Sequence, residues 1–226
     1  MSDDNPDDIA LAQLMASRLC HDLVGPLGAV SAGLELMGEA AASEKVDGDA
    51  LRLAIKSADQ VTRRVTFLRQ ALGAGSGGAD PLAEARSLSA TFLGGGPVAL
   101  EWTGGDGVAD SGGRVAKLLL NMVLIGAEAL QRGGIVRVGI TENGAGLELL
   151  VEAEGDRVTP REGLAEAILA GSAETPENGG FLPGLSARSV QGFYCGRLAR
   201  ALGAGIRVVS SETRLTLAVA PLSLTS

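Results

Sequence analysis

A single histidine, His21, stands in the run Leu19-Cys20-His21-Asp22-Leu23-Val24-Gly25-Pro26-Leu27. An imidazole titrates near neutrality, so its neutral, nucleophilic form is abundant at physiological pH. Apolar residues recur around it at Ile9, Ala12, Ala16, Leu19, Leu23, Val30, Leu34 and Met37, with Pro26 or Leu27 filling the one longer step. That period belongs to an amphipathic helix with one buried stripe. At about 100° per residue, Leu19 and Leu23 fall together and His21 points away from them into water. The phase therefore predicts a reactive, exposed ring rather than a core histidine. Two neighbours join it as candidates. Asp22 can orient the ring or take its second proton. Arg18, one turn earlier on much the same face, can meet oxyanions. Each also fits an ordinary charge on a helix surface.

The elements that must hold these residues are legible in outline. The first helix is expected from Asp7 or Asp8 to about Glu39, with a kink or loosening after His21 because Pro26 clashes with the Asp22 carbonyl. A second helix follows from about Asp49, with Leu51, Ile55, Ala58, Val61, Val65, Leu68 and Leu72 on one stripe. A hairpin of two such helices cannot bury both stripes alone. Pairing two hairpins into a four-helix bundle can, which predicts a homodimer.

Gly73-Ala74-Gly75-Ser76-Gly77-Gly78 spells G-x-G-x-x-G, but it follows a helix rather than a strand. It is expected to be a flexible linker that leaves the next domain adjustable in orientation. From Asp80 onward the pattern alternates: helix 82–93, strand 97–103, helix 114–131, strands 134–141 and 146–153 joined at Asn143-Gly144, and helix 161–170. A loop over 171–184, a helix over 185–202 and strands 205–210 and 213–220 complete it. The expected fold class is α+β: residues 1–74 form the helical hairpin and residues 79–226 a two-layer sandwich.

Composition narrows the partners. A net charge of −8 and 3% aromatic residues predict no nucleic-acid binding and no membrane docking. Cys20 and Cys195 form no metal or redox pair. The acidic start Met1-Ser-Asp-Asp-Asn-Pro-Asp-Asp8 is unlike a signal peptide, and the apolar stretch Val115 to Leu130 is broken by Lys117, Asn121 and Glu128. A cytoplasmic protein is expected.

The run His21-Asp22-Leu23-Val24-Gly25-Pro26-Leu27 resembles the phosphoacceptor box of two-component histidine kinases, and hairpin, linker and sandwich repeat the layout of their core. Their nucleotide boxes are altered here. Asn121-Met122-Val123-Leu124 resembles the kinase asparagine box, but Ile125 stands at the metal-ligand position, where a hard cation needs oxygen. Ala153 stands where the adenine-reading aspartate would be, and Arg157 replaces a glycine of that box. Ser186-Ala187-Arg188-Ser189-Val190-Gln191-Gly192 stands in place of the phosphate-cradling glycine box.

This combination is similar to the ChpT-type histidine phosphotransferases of alphaproteobacteria, which resemble degenerate histidine kinases. Ser17 to Val30 and Gly33-Leu34-Glu35-Leu36 carry the likeness. It implies a phosphoryl relay through His21 between receiver-domain aspartates, without ATP. The implied donor is the receiver of a hybrid histidine kinase (CckA-like); the acceptors are response regulators (CtrA-like, CpdR-like) of the cell cycle. It also implies that no cofactor is bound by this chain, Mg2+ being supplied by the partner receiver. Gly25 stands where related proteins with phosphatase activity carry Thr, Asn or Gln, so transfer without strong phosphatase activity is expected. An ATP-using kinase with eroded boxes and a non-catalytic dimeric adaptor remain alternative readings.

Overall fold

A run of helix-forming residues with a proline just past its midpoint tests how far packing can override a breaker. In the computed structural model, which describes residues 6–42, 48–73, 79–144, 146–173 and 184–222, α1 (Pro6–Ala42) stays helical through Pro26. The proline deprives the Asp22 carbonyl of its helical donor without ending the helix. α2 (Gly48–Leu72) returns alongside it.

The seam between these helices differs from the expected stripe. Gly33 is buried, and a methyl group there would lie 2.9 Å from Ala54 Cβ and 3.0 Å from the Ala50 carbonyl oxygen. The α2 residues facing α1 are small: Ala50, Ala54 and Ser57. Close approach through small residues turns the larger stripe outward, leaving Leu51, Ile55 and Val65 exposed on α2 and Ile9, Leu27 and Leu34 exposed on α1. Of the expected second-helix stripe, only Leu68 is buried.

The second half begins with α3 (Pro81–Leu93). Asp80 caps it by accepting from the Ala83 amide at 3.0 Å, and Pro81 supplies a first-turn residue that needs no donor. β1 (Val98–Thr103), α4 (Arg114–Ala129), β2 (Gly134–Asn143), β3 (Gly146–Glu154), α5 (Leu164–Ser172), α6 (Val190–Ala201), β4 (Ile206–Ser210) and β5 (Arg214–Leu222) follow. The sheet order is β1-β2-β3-β5-β4. β1 runs parallel to β2 and the remaining neighbours are antiparallel. Alternating burial along β3 marks one packed and one wetter face, as a two-layer α+β sandwich requires. α4 is apolar nearly all round because it lies between the sheet and helices α2, α3 and α6.

The hairpin does not swing free of this sandwich. Phe67, Leu68 and Ala71 of α2 belong to the same buried cluster as α4 and the sheet, and the Phe67 ring stacks on Phe92 with centroids 4.3 Å apart. Asn121 donates to the Ala71 carbonyl at 2.8 Å, and Lys117 donates to that of Gly73. The apolar end of α2 finds its cover on α3 and α4, so the adjustable orientation expected of the linker gives way to a packed joint. The linker residues 74–78 themselves, the acidic residues 1–5, the turn at 43–47 and most of the expected 171–184 loop lie outside the described residues.

Candidate functional site: an exposed histidine over a buried ion network

Three residues of α1 that are near neighbours in sequence have opposite fates. The His21 side chain is 82% exposed, whereas Asp22 is 6% and Arg18 3% exposed. Arg18 and Asp22 are four apart and share a helix face, one residue's rotation away from His21 and turned toward the sandwich. The exposed imidazole agrees with the helical phase. The expected role of Arg18 does not: it is buried and cannot reach out to an oxyanion.

Arg18 instead holds two carboxylates. Its Nε donates to Asp22 Oδ2 at 2.8 Å, and its Nη2 sits 2.5 Å from both oxygens of Glu128 on α4. Arg64 of α2 approaches Asp22 Oδ2 at 3.1 Å and Glu128 Oε1 at 3.4 Å. Arg161, on the segment between β3 and α5, donates from Nε to Glu128 Oε2 at 3.1 Å and brings Nη2 to 3.8 Å from Asp22 Oδ1. Three guanidinium groups thus surround two carboxylates at the joint between hairpin and sandwich. Burial pushes the Asp22 carboxyl up, but the hydrogen bond and charge of Arg18, with Arg64 behind it, outweigh this and hold it below the ordinary range. For Arg18, burial opposes the charge, and Glu128 and Asp22 more than restore it.

Asp22 Oδ1 lies 3.7 Å from His21 Nδ1. That is longer than a hydrogen bond. The carboxylate is fixed from behind by Arg18 and Arg64, so the exposed ring is the freer of the two.

Arg64 and Arg161 are not singled out by the sequence, and Glu128 enters there only as a charge that breaks the apolar stretch 115–130. The available signal was Glu128, a charge inside an otherwise apolar helix, which is rarely buried without a partner. Its partner Arg18 is 110 residues away.

The segments that resemble the kinase nucleotide boxes look different. Ile125 is 4% exposed and Ala153 fully buried, both packed into the core. Asn121 is buried too and accepts from Gln191 of α6 while donating to Ala71. Arg157 is exposed beyond β3. In the serine segment the chain closes on itself: the Val190 amide donates to the Ser186 carbonyl at 2.9 Å and the Ser186 amide to Ser189 Oγ at 3.2 Å. α6 then packs so tightly on α5 that a methyl group at Gly196 would lie 2.2 Å from the Ile168 carbonyl oxygen.

An exposed histidine on a helical hairpin, backed by a mixed sheet with helices on one face, is the architecture shared by histidine kinase cores and histidine phosphotransferases. The family model of the histidine phosphotransferase C-terminal domain matches residues 82–214, and the chain belongs to the histidine phosphotransferase family. Protein phosphotransferase ChpT of Brucella abortus (strain 2308) is 32% identical over 202 residues, spanning 88% of this chain and 89% of that protein. A solved bacterial phosphotransferase superposes with a TM-score of 0.71 at 29% identity, covering 93% of this chain and 96% of the other. Histidine kinase ThkA, solved in complex with the response regulator protein TrrA, shares the fold at a TM-score of 0.53 and 13% identity, over 96% of this chain and 63% of that one. Among the described residues, no helix is long and apolar enough to cross a membrane.

Proposed function

We propose that this chain relays a phosphoryl group between receiver-domain aspartates through His21 and does not use ATP. The observation that carries the reading is the pairing of an exposed ring with a buried, arginine-held Asp22. Nδ1 is the ring nitrogen on the Asp22 side, which leaves Nε2 as the nucleophile. The Nε2 lone pair forms the N–P bond as the P–O bond of an aspartyl phosphate breaks, its electron pair staying on the receiver's carboxylate. The ring then carries its proton on Nδ1, where Asp22 steadies the positive charge. The reverse step returns the phosphoryl group to a second receiver. Phosphoryl transfer depends on positioning and charge neutralisation, and Mg2+ comes with the receiver.

Burial of Ile125 and Ala153 supports the absence of ATP use, since neither offers oxygen to a metal or an acceptor to adenine. The exposed stripe of Leu51, Ile55 and Val65 with Ile9, Leu27 and Leu34 supports a homodimeric four-helix bundle. Division into a hairpin over 1–74 and a sandwich over 79–226 suits these two tasks. A response regulator and the receiver of a hybrid kinase are the partners that such a site accepts, and the kinase–regulator complex of ThkA supports that class.

The test is incubation with a phosphorylated receiver domain. Wild-type chain should gain label that survives base and is lost in acid, and His21→Ala should keep the fold and gain none. Label on His21→Ala at the wild-type rate would remove His21 from the mechanism. Val65→Asp should convert a dimer at micromolar concentration into a folded monomer by light scattering, because it buries an unpaired carboxylate in the bundle.

A further inference from the structure

We infer that Arg161, which comes from the sandwich rather than the hairpin, binds the phosphoryl group while it resides on His21. The inference rests on the relay reading above.

The three arginines behind the histidine are not equivalent. Arg18 is 3% exposed, and its Nε and Nη2 are committed to Asp22 and Glu128. Arg64 shares its Nη2 between the same two carboxylates and is 20% exposed. Arg161 is 32% exposed and spends only Nε on a hydrogen bond, to Glu128. Its Nη2 makes no hydrogen bond among the described residues, and it stands 3.8 Å from Asp22 Oδ1, the oxygen that His21 Nδ1 approaches at 3.7 Å. Ring and guanidinium therefore flank one carboxylate oxygen, with the guanidinium's outer edge uncommitted.

The surroundings hold Arg161 in that place. The Thr159 amide donates to the Ala129 carbonyl at 2.9 Å, one residue beyond Glu128, and the Val158 amide donates to Glu212 at 2.8 Å. The segment carrying Arg161 is thus pinned to the end of α4 before the side chain leaves it.

Phosphorylation creates a need that this edge meets. A phosphoryl group adds close to two negative charges beside the ionised Asp22, and like charges at that range repel. The network already holds more guanidinium than carboxylate groups, and buried donors on Arg18 Nη1 and Arg64 Nε lack partners among the described residues. Excess positive charge with unused donors beside a phosphoacceptor suits an oxyanion. Of the three, Arg161 is the most exposed and keeps both terminal nitrogens out of hydrogen bonds among the described residues, and that edge matches two phosphoryl oxygens at once. Nε keeps its grip on Glu128 while Nη1 and Nη2 turn outward, so the contact requires no break in the joint.

The experiment loads the full chain with phosphoramidate, a small donor that needs no protein docking, and compares wild type, Arg161→Ala and Arg161→Lys. Arg161→Ala should take up phosphate on His21 roughly tenfold more slowly. In 31P NMR titration, its dianionic phosphoryl group should take up its first proton roughly one pH unit higher than in wild type. Arg161→Lys, which keeps the charge without the planar edge, should fall between the two. Circular dichroism melts confirm that each variant is folded before it is compared. Equal uptake rates and superimposable 31P titrations in the folded variants overturn the inference while leaving the relay standing. A defect in Arg161→Ala confined to receiver donors also overturns it, because Arg161 would then dock proteins rather than hold phosphate. If wild type accepts no phosphate on His21 from phosphoramidate or from a phosphorylated receiver, the relay reading itself falls, and this inference with it.

Discussion

The joint behind His21 and the stretch that resembles a kinase asparagine box both draw on α4, through Glu128 and through Asn121 and Ile125, yet the two differ in kind. Glu128, near its C-terminal end, keeps its charge in a nearly buried place because three guanidinium groups surround it. One turn earlier, Ile125 has no polar group at all, and across from it Ala153 is closed into the sheet. Asn121, the polar residue that resembles the kinase box, spends its amide on Ala71 and Gln191. Polarity survives on α4 where it ties the sandwich to the hairpin. At Ile125 and Ala153, in the segments that resemble kinase nucleotide boxes, the side chains are apolar core. A buried charge persists only where partners compensate its desolvation.

Putting polarity back into the apolar part should have the largest effect. Ala153→Asp introduces the carboxylate that the resembling kinase box carries, but inside a packed apolar core. It should cost about 4 kcal/mol or more of stability in urea unfolding, without conferring nucleotide binding by calorimetry. Saturable Mg-ATP binding in that variant would show that the site is merely one side chain from function.

Removing polarity from the joint comes next. Glu128→Ala leaves Arg18 buried with its main counter-ion gone and should cost about 3 kcal/mol. It should also slow phosphate uptake at His21, a residue that Glu128 does not touch. A stable variant with unchanged uptake would mean that the network is decoration.

The smallest effect is one of pH. Asp22 has its folded pKa held below the ordinary 3.8 by Arg18 and Arg64, although burial works the other way. Its contribution to stability is therefore complete above that ordinary value and is lost as pH falls toward the folded one. The urea midpoint of wild type should drop between pH 5 and pH 3 by more than that of Asp22→Asn. Parallel curves would show that the carboxylate gains nothing from its arginines.

Much of this was legible in the sequence. In the sandwich, strand alternation and turn residues placed β3 within a residue of its observed end, and the expected helix 82–93 began one residue after the observed start of α3. The start of α5 was set three residues early because Gly163 holds a left-handed φ of +72° that helix periodicity does not register. The last helix was begun too soon because Ser186 to Ser189 form a turn through side-chain hydrogen bonds. In the hairpin, periodicity found two apolar faces but could not say which one a single chain buries, since Gly33, Ala50 and Ala54 act by being small. At the site, His21 was legible because exposure follows from local helical phase. Arg18 was misplaced because its partner lies far along the chain, where no local pattern reaches.

In the proposed relay, His21 passes phosphate onward rather than merely receiving it. The direct measurement loads the wild-type chain with labelled phosphate, removes the donor and adds an unphosphorylated receiver domain with Mg2+. The label should leave His21 and appear on the receiver's aspartate, with little inorganic phosphate, since Gly25 carries no side chain to position water. Label that stays on the chain, or that departs only as inorganic phosphate, would contradict the relay.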